Sequence, residues 1–164
     1  MELNFGPRNI LQIDDARIIF RNFSGRPDKY NREGDRNFAL VIPSQEIADA
    51  LLDDKNEFGV AWKVKIREPR EEGDAPFMYL PINVKFNERG PKVVLISGDR
   101  KTTLDEESVS ILDDIDIACV DMDIRPYDGE STYGPFRSAY LQAMYVTQEV
   151  DRLGRKYEDY GPEA

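Results

Sequence analysis

The sequence contains no histidine, and that absence removes several chemistries together. Ser-His-Asp and Cys-His nucleophile pairs are excluded, as is any imidazole metal ligand. The single cysteine, Cys119, rules out an internal disulfide and leaves no thiol cluster for a structural zinc. Neither a G-x-x-x-x-G-K-[ST] phosphate loop nor a G-x-G-x-x-G fingerprint occurs. No apolar run reaches bilayer-spanning length, and the opening MELNFGPRN lacks the basic and apolar regions of a signal peptide. These absences point to a soluble protein of a reducing cytoplasm, with no cofactor and no membrane partner expected.

Cations are also scarce, since the net charge is −10. A uniformly acidic surface would repel nucleic acid, so the distribution of charge decides the matter. Residues 17–36 carry six Arg and Lys against three carboxylates, whereas residues 99–130 carry three against eleven. A basic groove on an acidic body attracts a polyanion locally and repels duplex DNA arriving in other orientations.

What the chain does contain is concentrated in residues 16–43, ARIIFRNFSGRPDKYNREGDRNFALVIP. Two aromatic-rich apolar runs flank a Gly-, Asp- and Asn-containing loop that carries Arg26, Lys29, Arg32 and Arg36. Aromatic faces beside mobile cations suit unpaired nucleic acid, because every base offers a surface to stack on and every linkage a charge. The same pattern fits a plain hairpin whose aromatics are core and whose loop is only solvated.

Period-2 alternation recurs, so the chain reads as a mainly β domain with short helices. Strands are expected at 16–23, 37–42, 62–67, 79–86, 92–96, 118–124 and 137–147. Pro81 places the fourth of these near an edge or a bulge. Ser44 caps an amphipathic helix over SQEIADALLDD, and a T-x-x-E capping box at Thr103 predicts a second, brief helix. Residues 126–135, PYDGESTYGP, read as a long mobile loop. Five to seven strands with a basic loop near the start suit an OB-fold-like β-barrel. One domain is expected over 1–153, followed by a mobile acidic tail at 154–164.

Outward positions then define a candidate groove. Arg17, Arg21 and Phe23 share one face of the first strand, with Tyr30, Arg32 and Arg36 in or beside the next loop. Lys63, Lys65 and Arg67 alternate with Trp62, Val64 and Ile66, and Tyr79 and Lys85 point outward from the following strand. Phe20, Phe38 and Trp62 fall on the core side. Tyr127 and Tyr133 flank polar residues where a phenol could clamp a base. Asp113, Asp114, Asp121 and Asp123 read as surface charge, with a Mg²⁺-dependent hydrolase as the catalytic alternative. A further alternative is an acidic protein-interaction module that mimics nucleic acid and blocks a host factor.

The run A-R-I-I-F-x-N-F, a loop, and then F-A-L-V-I-P before a short helix resembles the opening of the bacteriophage single-stranded-DNA-binding proteins with an OB fold. The G-D-x-P turn at 73–76, P-K-V-V at 91–94, I-R-P-Y at 124–127 and the late L-Q-A-M-Y-V-T are similar too. The resemblance implies a non-enzymatic protein that coats single-stranded DNA without sequence preference during phage replication or recombination in the bacterial host cytoplasm. It implies roles for Arg17, Arg21, Phe23, the basic loop, Arg125 and Tyr127. The acidity of 117–123 departs from that pattern. Glu158, Asp159 and Glu163 of the tail would occupy the empty groove or recruit replication proteins, and an exposed strand edge would let two subunits pair.

Overall fold

The computed structural model describes residues 1–150. A hairpin of β1 (Glu2–Phe5) and β2 (Leu11–Ala16) opens the chain, followed by β3 (Ile18–Asn22) and β4 (Arg36–Ile42). The helix α1 (Gln45–Asp53) leads to β5 (Lys65–Arg67), β6 (Phe77–Val84), β7 (Lys92–Ser97) and β8 (Arg100–Leu104). A 3-10 turn at Val109–Asp113 precedes the long hairpin of β9 (Ile117–Ser131) and β10 (Gly134–Gln148). All ten strands form one sheet with the order β1-β2-β9-β10-β6-β4-β3, which does not close on itself. The strand count therefore exceeds the expected five to seven: the alternation of Leu3, Phe5, Leu11 and Ile13 in the first hairpin is too short to stand out, and β8, RKTTL, has almost none.

The sheet forks at β10. Tyr140 pairs with Asn83 of β6, and after a register shift at Leu141/Ala143 the rest of β10 runs parallel to β7. Leu40, Leu80, Ile82, Ile124 and Val146 fill a single core between the branches. The helix lies where its spacing predicts, with Ala48 and Leu51 buried and the Ser44 hydroxyl accepting the Ile47 N–H at 3.3 Å. Pro81 sits between the stretch of β6 covered by β5 and the point covered by β10, so its missing N–H breaks no strand pairing on that side.

Four expectations are corrected. Residues 126–135 are not a loop, because Pro126–Ser131 pairs residue by residue with Gly134–Ala139. Thr103 lies inside β8, and the turn that follows is capped by Asp105, which accepts from the N–H groups of Glu107 and Ser108 and from the Ser108 hydroxyl. These bonds, the Ser108 hydroxyl first, hold the Asp105 carboxyl below its ordinary range. The strand expected from Trp62 starts only at Lys65, since Val64 N–H bonds back to the Trp62 carbonyl in a tight turn that breaks the alternation. Ile66 is consequently half-exposed, while Trp62 is buried. Finally, the two Phe residues of the first run exchange places, as the site shows. The expected tail at 154–164 lies outside the described residues.

Candidate nucleic-acid interface

A one-residue irregularity builds the site. Ile18 and Ile19 pair with Leu40 and Ala39, but the next pairing is Asn22 with Asn37, so the register shifts between them. Phe20 takes a left-handed backbone with φ 53° inside this bulge. The shift turns Phe20 out to 53% exposure and carries Phe23 into the core at 0%, stacked on Phe38 with ring centroids 5.2 Å apart. Phe23 is thus not available to a ligand. Its N–H and that of Ser24 both donate to the Asp113 carboxylate, at 2.7 and 3.0 Å. Asp113 is a structural anchor for the loop and not free surface charge.

Exposed Phe20 meets Tyr79 edge-on at 5.5 Å, and the Arg67 guanidinium lies 5.7 Å from the Phe20 ring. Tyr79 also neighbours Phe77, at 5.7 Å. Phe20, Tyr79 and Arg67 line an open groove of about 760 Å³ together with Arg26, Tyr30 and Asn37. Among the described residues Asp28 is the one carboxylate that lines it. Asp28 is engaged, accepting the Tyr30 N–H at 2.7 Å.

The loop between β3 and β4 is held in shape by amides. Asn31 donates to the carbonyls of Arg26, Arg32 and Asp35 at 2.9, 3.1 and 2.9 Å and accepts from Asn37 at 2.8 Å. Asn22 accepts the Arg26 N–H and donates to its carbonyl. Gly25, at φ 71°, has no room for a side chain, because a Cβ would stand 3.0 Å from the Gly34 backbone. Arg26 and Tyr30 are therefore presented by a braced loop. Asn31→Ala removes four hydrogen bonds at once, and at about 0.5–1.5 kcal/mol for each that water does not replace it is expected to loosen the loop and lower the melting temperature, which a thermal scan checks.

From the groove a row of paired residues crosses the sheet. Asn22 faces Asn37, Asn37 faces Asn83, Asn83 faces Tyr140, and Tyr140 faces Arg125. Residues paired this way share a face, and four interstrand steps of about 4.8 Å make the row roughly 19 Å long. Arg125 lies 4.9 Å from the Tyr140 ring, and Tyr127 touches both Tyr140 and Phe136 at 6.0 and 5.9 Å. The Phe136 ring lies directly over Gly129, and Lys63 approaches its other side at 5.8 Å. Aromatic and cationic groups thus continue along the outer face of β9 and β10.

The remaining expected residues divide. Lys65 pairs with Tyr79 and is exposed beside the groove, and Arg32 is exposed elsewhere in the same loop. Lys85 and Arg125 line a second cleft with Arg8 and Arg89. Arg21 reaches the groove wall, but its guanidinium donates to the Leu112 and Ile115 carbonyls, each at 2.7 Å, tying β3 to the 3-10 turn. Arg36 is turned away. It pairs with Glu106 at 3.2 Å on the opposite side, because its register partner is the buried Val84. Arg17 belongs to an acidic hollow with Asp15, Asp116 and Glu149. Phe20 is the residue that alternation missed, and only the φ > 0 bulge would have revealed it.

The acidic stripe does not assemble a metal site: no group of three or more potential ligands is placed for one among the described residues. Asp121 accepts the Asp15 N–H at 2.8 Å, and burial followed by the neighbouring Asp14 pushes the Asp123 carboxyl up. Among the described residues no helix is long and apolar enough to cross a membrane.

The fold is shared with solved structures. The single-stranded DNA-binding protein from bacteriophage Enc34 in complex with ssDNA superposes with a TM-score of 0.54, at 18% identity over 91% of this chain and 92% of that one. Its C-terminal truncation gives 0.52, at 18% identity over 91% of each chain. No curated protein matches the sequence. The family model described as "Putative phage ssDNA-binding domain" matches residues 3–164, nearly the whole chain, and the protein therefore belongs to this phage single-stranded-DNA-binding family.

Proposed function

We propose that this protein binds single-stranded DNA without sequence preference, as a non-enzymatic accessory of phage replication or recombination in the bacterial host cytoplasm. One observation carries the reading. On a body of net charge −10, the Phe20–Tyr79 pair lines a groove beside Arg26 and Arg67, and the one carboxylate that lines it among the described residues, Asp28, accepts a backbone N–H. Bases stack on Phe20, Tyr79 and Tyr30, while Arg26, Arg67 and Lys65 neutralise phosphates. Stacking supplies affinity and accepts any base, because every base has a π-face. The strand then continues along the amide row toward Tyr140 and Tyr127.

A partly open OB-type barrel is our reading of the architecture, supported by the single forked sheet with a helix inserted between β4 and β5 and by the likeness to the phage structures. The acidic residues Glu158, Asp159 and Glu163 are proposed to compete for the basic groove or to engage replication proteins. The test is fluorescence anisotropy of labelled oligo-dT and a matched duplex at low and physiological salt. Tight binding to the single strand, with log K falling by about 0.7 per neutralised phosphate against log salt, is the expected result. No binding to oligo-dT at low salt would overturn the proposal.

A further inference from the structure

The second cleft, about 480 Å³, lies at the far end of the amide row from the aromatic groove. Arg8, Lys85, Arg89 and Arg125 converge on it from three separate parts of the chain, and no carboxylate lines it among the described residues. None of the four forms an ion pair among the described residues. Four cations brought together without a carboxylate beside them among the described residues repel one another, and an anion in the cleft would relieve that repulsion.

The backbone around the cleft is also specialised. Arg8 and Asn9 both adopt left-handed conformations, φ 60° and 63°, within the short link between β1 and β2. Two consecutive non-glycine residues at positive φ are uncommon and are tolerated where the geometry aims a side chain. The link is locked by the Gly6 N–H to the Ile10 carbonyl at 2.8 Å. Arg89 sits on an equally tight turn, with Asn87 and Gly90 exchanging backbone bonds at 2.8 and 3.2 Å. The Asn87 side chain accepts the Arg89 N–H at 2.8 Å.

We infer that this cleft is a phosphodiester subsite for the same DNA strand that occupies the aromatic groove, so that the strand runs across β4, β6, β10 and β9 and not along them. The inference rests on the proposed single-strand binding. It commits to single-stranded DNA because Arg125 belongs both to the cleft and to the row that begins at Asn37 in the groove. A chain laid along that row has its bases over Tyr140 and delivers its phosphates to Arg125 and Lys85, then to Arg89 and Arg8.

The experiment compares wild type with Arg8→Ala/Arg89→Ala, using oligo-dT of about four and about twelve nucleotides, lengths within the range one OB-type face covers. Arg100→Ala/Lys101→Ala, which removes the same charge from exposed β8, is the control for net charge. The short oligonucleotide should bind both proteins alike. The long one should lose roughly tenfold in affinity at low salt only with the cleft variant, with a salt slope lower by about 1.4, the value for two lost phosphate contacts. Wild type that binds neither oligonucleotide would mean that the single-strand reading itself has failed. Wild type that binds both, with an unchanged long-oligonucleotide affinity and slope in the cleft variant, would overturn this inference alone. Equal losses on short and long, or losses matched by the β8 variant, would likewise overturn it. A matched duplex weakened by the cleft variant while the long single strand is not would assign the cleft to another polyanion and also overturn it.

Discussion

Phe20→Ala is expected to weaken oligo-dT binding by roughly 5- to 150-fold, the range that corresponds to about 1–3 kcal/mol for one stacked base. The ring is half-exposed at a bulge, so its loss leaves no buried cavity, and the melting temperature should move little. Phe23→Ala, three positions along, is expected to do the reverse. That ring is fully buried against Phe38, and its removal should cost about 3–5 kcal/mol of stability. Any affinity it loses should follow the unfolded fraction. The pair separates contact from folding, because both variants delete the same side chain from the same short run, IIFRNF. Measuring melting temperature and anisotropy on both decides the assignment. Strong loss of affinity by folded protein on Phe23→Ala, with none on Phe20→Ala, would return the contact face to the alternation expected from sequence.

That reversal shows where sequence reading holds and where it stops. Regular alternation and capping were legible: β4, β6 and α1 lie close to where the pattern of Leu40, Ile42, Leu80, Ile82 and Leu51 puts them. The groove's ingredients were legible too, since Tyr30, Tyr79 and Arg67 come from the aromatic and basic pieces expected to meet. Alternation, however, is a local rule, and one bulge inverts every assignment beyond it. Nothing in IIFRNF marks Phe20 as the residue with φ > 0, because phenylalanine seldom adopts it. Arg36 was misread for the complementary reason. Its outward character follows composition, but its register opposite Val84 is a tertiary fact. Residues 126–135 looked like a loop because Pro, Gly and Ser are abundant there. Fifteen-residue partners on each side of the turn override that preference.

Arg137 illustrates the same limit in the core, and its replacement is expected to lower stability through a charged network that alternation does not reveal. It is 1% exposed, and its guanidinium grips Asp128 with two bonds, Nε to Oδ1 at 2.7 Å and Nη2 to Oδ2 at 3.0 Å. Its Nη1 reaches the Asp54 carbonyl at 3.2 Å, and its plane lies 4.9 Å from the Trp62 ring. Trp62 in turn donates to Asp54 at 2.8 Å, and Asn56 donates to Asp128 at 2.9 Å. The network therefore joins the end of α1 to the β9–β10 hairpin that carries Tyr127 and Phe136. Arg137→Met should cost about 1–3 kcal/mol, the scale of hydrogen bonds to charged groups, because Asp128 and Asp54 lose their cation but keep partial contact with water. For a chain of this size that lowers the melting temperature by roughly 2–12 °C.

The pH dependence of that difference tests the cause. The Arg137 bonds, aided by Asn56, hold the Asp128 carboxyl below its ordinary value against the opposing effect of burial. A depressed folded pKa contributes stability that is present above the unfolded value, about 3.9, and is lost as pH falls through the folded one. The gap between wild type and Arg137→Met, measured by denaturant unfolding, should thus be full at neutral pH and narrow below about pH 4. A gap that stays constant down to pH 2 would mean that Arg137 stabilises the hairpin through its packing on Trp62 and not through its charge.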